Sequence, residues 1–120
     1  MRWSRFTDLM VSQVKANLSG NRPRLPEGGV LLWQWFGELC ESRTYHPGGP
    51  NALQPTEIEA WARLRRHPLQ PRHVDALLAM DRAWLDHSYG AIKQARGIAS
   101  GAPTGREAAV SPAAFDAVFG

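Results

Sequence analysis

Cysteine is almost missing from this 120-residue chain. Cys40 stands alone, so no intramolecular disulfide braces the fold and no oxidising compartment is needed to form it. Lysine is scarce as well, and arginine supplies twelve of the fourteen basic residues. A large excess of either charge is lacking: a net charge of +3 permits nucleic acid as a partner without demanding it. No apolar run approaches the roughly 18 residues that a membrane-spanning helix needs. The opening Met1-Arg2-Trp3-Ser4-Arg5-Phe6 is basic in the manner of a signal peptide, yet Asp8, Ser12, Gln13 and Lys15 interrupt what would be its apolar core. The expectation is one cytoplasmic domain with a modest core.

Catalytic groupings are equally thin. The four histidines (46, 67, 73 and 87) are dispersed in sequence, and no pair has metal-ligand spacing. Gly48-Gly49 is flanked by prolines and leads into no strand–helix unit of the phosphate-binding kind. Cys40 lies within an apolar helix face, where a thiol behaves as a small hydrophobe. Asp81 interrupts an apolar stripe; it is readable as a catalytic acid, but more readily as a structural carboxylate that accepts hydrogen bonds from an arginine or an indole N–H. No enzyme, no cofactor and no metal are therefore expected.

What is present is helical periodicity and tryptophan. Trp3, Phe6, Met10 and Val14 recur at spacings of three and four, which predicts a helix over 3–18. A second helix, about 30–43, has a wide apolar side made of Leu32, Trp35, Phe36, Leu39 and Cys40, with Leu31 and Trp33 pointing elsewhere. Trp33 and Trp35 cannot both face one core, so one of these two is a candidate for a partner surface. Residues 45–51, rich in Gly and Pro, read as a loop.

Two later segments echo each other. Leu53-Gln54-Pro55-Thr56-Glu57-Ile58 returns sixteen residues on as Leu69-Gln70-Pro71-Arg72-His73-Val74. Proline suits the first position of a helix, which makes Gln the N-cap and pairs the preceding Leu with Ile58 or Val74 as a hydrophobic staple. Thr56 with Glu59 is a rival start two residues later. Either way, helices near 55–66 and 71–90 follow, expected as a hairpin with Trp61, Leu64, Leu77, Leu78 and Trp84 buried. Trp61, Trp84 and Asp81 are thus the structural residues. Arg63, Arg65, Arg66 and Arg72 gather around the junction as an electrostatic patch. A DNA-binding helix-turn-helix would use the second helix for phosphate contacts, but Asp75, Asp81 and Asp86 on it would be repelled by phosphates, so the cluster reads as a solvated junction or as a patch for an acidic protein partner.

Residues 97–110 have the composition of a flexible linker. Beyond them Ser111-Pro112 starts a short helical motif with Phe115, Val118 and Phe119 on one face. So short a helix is unstable alone in water and needs a surface; docking back on this domain is one choice, but presentation of Phe115, Val118 and Phe119 to a partner is the expectation. The division expected is an N-terminal amphipathic helix (1–22), a helical core (23–96), a linker (97–110) and a C-terminal helical motif (111–120), in an all-α fold without a sheet.

Several blocks in order resemble the tail assembly chaperones of long-tailed bacteriophages, proteins encoded beside the tape-measure gene. They are Leu25-Pro26-Glu27-Gly28-Gly29, then Leu32-Trp33-Gln34-Trp35-Phe36-Gly37-Glu38-Leu39, a spacer with Arg43 and Gly48, Glu57 to Leu64, Leu69-Gln70-Pro71, and Leu77 to Leu85 with Asp81 inside. The final Phe115-Asp116-Ala117-Val118-Phe119 is similar to the end of such proteins. The resemblance, which runs from Arg24 to Leu85, implies a non-enzymatic role in virion morphogenesis in the host cytoplasm. The implied partners are the tape-measure protein and the tail-tube protein, with self-association open. The alternative is a small basic helical nucleic-acid-binding regulator.

Overall fold

The computed structural model describes residues 2–101. Its elements are four helices, α1 (Arg2–Leu18), α2 (Gly29–Glu41), α3 (Pro55–Arg65) and α4 (Pro71–Gly101), and two short strands between α2 and α3, β1 (Tyr45–His46) and β2 (Gly49–Pro50). The expected motif at 111–120, with Phe115, Val118 and Phe119, lies outside the described residues, as does the expected linker beyond Gly101.

Helix α1 buries Met10, Val14 and Leu18, one residue per turn. It stops where Gly20 takes φ 91, so that Asn21 N–H reaches back to the Ala16 carbonyl at 2.9 Å and Gly20 N–H to that of Asn17 at 3.0 Å. This pair of bonds satisfies carbonyls that the helix end would otherwise orphan. Helix α2 buries Leu32, Trp35, Phe36, Leu39 and Cys40, the face expected from the spacing, and leaves Leu31 exposed.

Both echoed segments start their helices at the proline. Gln54 N–H donates to Glu57 Oε1 and Gln70 N–H to His73 Nδ1, each at 2.9 Å, so the third residue of each helix reaches back to the cap in the same way. The rival start at Thr56 is not used.

The expected α3–α4 hairpin is not the main packing of the molecule. Helix α4 lies chiefly along α1, and α3 is a shorter side element. Leu77 and Trp84 are fully buried, but Trp61 and Leu78 are only half-buried and Leu64 is 84% exposed. The inward face of α3 is set by Ile58 and Ala62, and Leu64, two residues past Ala62, falls on the opposite side. Helix α4 also runs to Gly101 rather than ending near 90. Gly97 and the small residues around it include no proline before Pro103, and a single glycine costs a helix only about 1 kcal/mol relative to alanine.

The expected absence of a sheet is corrected by β1 and β2, which pair antiparallel with Tyr45 opposite Pro50 and His46 opposite Gly49. Pro47-Gly48 is the two-residue connection, a length suited to a tight hairpin. Gly49 is required: at φ 142, a side chain there would meet Ile92 and Tyr89 of α4 at about 3 Å. Tyr89 fastens the ribbon, its hydroxyl donating to the Pro50 carbonyl at 2.6 Å and accepting from His46 Nε2 at 2.8 Å. The donor on His46 is assigned because its Nδ1 accepts Gly48 N–H at 3.0 Å, leaving the ring proton on Nε2.

Candidate partner interface

The start of α1, the middle of α2 and the α3–α4 turn converge on an aromatic junction. Trp35 is its centre, with the rings of Trp61, His67 and His73 at 6.2, 5.1 and 5.7 Å. Trp3 stands on the other side of the group, its ring 5.7 Å from that of His73 and tilted against Phe6 at 4.8 Å. Two of the histidines that are dispersed in sequence thus share one tryptophan. No signal in the linear spacing announces this, although the echoed cap could have marked His73 as a placed residue. Among the described residues no group of three or more His, Cys, Asp or Glu is arranged to hold a metal.

Trp35, 5% exposed, belongs to the core and is not available to a partner. Its neighbour Trp33 is half-buried and is the one of the pair with surface to offer. The first turn of α2 adds Val30 and Leu31, 55% and 53% exposed. Trp61 is tied down by Glu38, which accepts its indole N–H at 3.2 Å and sits 3.7 Å from the Arg65 guanidinium.

The four arginines of the expected patch have separate local roles. Arg63 pairs with Glu59 one turn earlier at 3.3 Å, and Arg65 approaches Glu38. Arg66 occupies the left-handed position that ends α3, with φ 58. Arg72 lies over the Trp3 ring at 4.9 Å. Its charge and, to a greater degree, burial hold the His73 imidazole below its usual pKa. Beside this stack is an open cleft of about 480 Å³ lined by Arg2, Trp3, Phe6, Glu27, Gly28 and Arg72.

Farther along α4 the chemistry is closed. Asp81, 2% exposed, forms an ion pair with Arg43 and accepts Leu53 N–H at 2.9 Å. Arg43 also donates to the Asn51 carbonyl at 2.9 Å and to Cys40 Sγ at 3.3 Å, and its guanidinium lies 3.9 Å above Trp84. Burial alone would lower the Arg43 pKa, but the hydrogen bond to Asp81 and the charges around it more than offset this and raise it. This node joins the α2 end, the loop before α3 and the middle of α4. Its consumed donors and acceptors suit bracing rather than chemistry.

Residues 3–86 match the family described as phage tail assembly chaperone. The chain belongs to that family. The match takes in α1, which the resemblance from Arg24 onward leaves out, and so includes Trp3 and Phe6 of the cleft together with the Arg43–Asp81 node. No curated protein and no solved structure matches the chain. Among the described residues no helix of this family member is long and apolar enough to cross a membrane.

Proposed function

We propose that the chain is a non-enzymatic tail assembly chaperone that binds the tape-measure protein, the tail-tube protein or both in the host cytoplasm during virion assembly. The observation that carries this reading is the family match, which covers the whole of α1, α2 and α3 except Arg2 and extends well into α4. The surface supports it with apolar side chains left in solvent, Val30 and Leu31 at the start of α2 and Leu64 on α3, and with the half-buried Trp33 close to the first two in sequence. Exposed aliphatic residues next to a part-buried tryptophan suit capture of an apolar helical segment of another protein.

The test is co-expression with the tape-measure protein encoded in the same genome. Soluble tape-measure protein should rise in the presence of the chain and co-purify with it at both low and high salt. Leu31→Glu should reduce capture severalfold without lowering Tm, because Leu31 contributes little to the core. Tight binding to duplex DNA that weakens steeply with salt, through counterion release, combined with no capture of either tail protein, would replace this reading with the nucleic-acid regulator.

A further inference from the structure

We propose that the cleft beside Trp3 and Arg72 is a docking site for residues 111–120 of a second copy of this chain, so that the protein self-associates through its C-terminal motif. The cleft has an aromatic wall, Trp3 and Phe6, and a cationic rim, Arg2 and Arg72, against the single acid Glu27. About 480 Å³ is room for more than one aromatic side chain. The C-terminal motif has the complementary chemistry. At helical spacing Phe115, Val118 and Phe119 share a face, and Asp116 flanks it on the Phe119 side. Two rings with an acid at their edge would meet two rings with guanidinium groups at theirs, the helix-in-groove mode of recognition.

Reach decides which copy supplies the motif. Arg72 is the second residue of α4 and Gly101 its last described one, so at 1.5 Å per residue the cleft lies roughly 45 Å from Gly101. Thirteen residues, 102–114, precede Phe115. Stretched fully they span at most about 45 Å. The motif would reach its own cleft only with no slack left in the tether. A motif from a second copy has no such constraint.

The experiment uses the full chain and a labelled synthetic peptide of residues 106–120. By sedimentation velocity the unaltered chain should shift to larger species with increasing concentration, and the Phe115→Ser/Phe119→Ser variant should remain monomeric over the same range. That variant, its own motif disabled, should bind the peptide by fluorescence anisotropy. Arg72→Glu in the receiving chain, or Asp116→Arg in the peptide, should weaken binding about tenfold, and the two changes together should restore most of it. Arg72 is exposed, so Arg72→Glu should fold normally, which circular dichroism checks. A chain that is monomeric throughout but loses Tm when Phe115 and Phe119 are replaced would make the motif a lid on its own domain and overturn the proposal. So would self-association that is indifferent to Phe115 and Phe119, or peptide binding that is indifferent to Arg72→Glu.

Discussion

Two arginines among the described residues, Arg43 and Arg72, each lie over a tryptophan, and the two pairs behave as opposites. Arg43 over Trp84 is sealed inside. Its terminal nitrogens are taken by Asp81, Asn51 and Cys40, and only Nε is without a partner among the described residues. Arg72 over Trp3 is at the surface, with no hydrogen bond or ion pair among the described residues, beside an open cleft. The stack of guanidinium on indole is common to both. What differs is whether an acid and a carbonyl consume the remaining donors. Where they do, the arginine is a brace; where they do not, it is free to meet an anionic group that arrives from outside.

The largest effect should come from breaking the brace. Arg43→Met would leave Asp81 buried with one backbone N–H as partner, a change that costs about 3–5 kcal/mol. Arg72→Met should cost less than about 1 kcal/mol, the scale of an exposed cation–π contact. Denaturant unfolding of the two variants gives the comparison directly, and similar losses would mean that the distinction is wrong. Arg43→Met/Asp81→Leu should recover much of the loss, since replacing both members of a buried ion pair with apolar groups leaves no bare charge.

A smaller effect separates the two regions by pH. Folding holds the His73 pKa below that of an unperturbed imidazole, about 6.5, first through burial and then through Arg72. The folded state therefore favours the neutral ring, whose Nδ1 accepts Gln70 N–H at the start of α4. The stability this supplies is complete above about 6.5 and is lost as pH falls from there toward the lower folded value. The loss should not exceed about 1 kcal/mol, the usual scale of a helix cap. His73→Gln keeps an acceptor at the same position without a titrating group, so its Tm should fall less between pH 7 and pH 5 than that of the unaltered chain. A variant with the same pH profile as the parent would remove His73 from the account.

Much of this comparison was legible in sequence, but unevenly. The echoed Leu-Gln-Pro segments gave both helix starts, because proline at the first position is a local preference that needs no tertiary partner. The apolar face of α2 followed from spacing alone. Asp81 could be singled out as a polar residue in an apolar stripe, whereas Arg43 is 38 residues away and nothing local links the two. The β1–β2 ribbon reads as a loop in sequence because two-residue strands carry no period; Tyr89, far along the chain, fastens it. Leu64 and Trp35 show the other limit. Hydrophobicity predicts that a residue can be buried, but which tryptophan of two, or which side of α3, depends on what packs there.

The smallest predicted effect concerns Arg66, which lies between the regions in sequence and has a conformation unusual for an arginine. At φ 58 it is the only non-glycine residue with positive φ among the described residues, and it closes α3 by allowing His67 N–H to bond the Ala62 carbonyl at 2.9 Å. A side chain in this left-handed region costs about 1–2 kcal/mol. Glycine avoids that cost but gives the unfolded chain more freedom, a loss of about 0.4–1 kcal/mol. Arg66→Gly should therefore stabilise by roughly 0.5–1 kcal/mol and raise Tm by a few degrees, even though it deletes a charge from the junction. The same variant separates the two uses of the arginine cluster. If Arg66 serves only to end α3, capture of the tail proteins should be unchanged or slightly improved in the more stable variant. If its charge meets an acidic partner, capture should fall while Tm rises, a divergence that a purely structural role would not produce. A drop in Tm would show instead that the arginine side chain makes contacts worth more than the strain it carries.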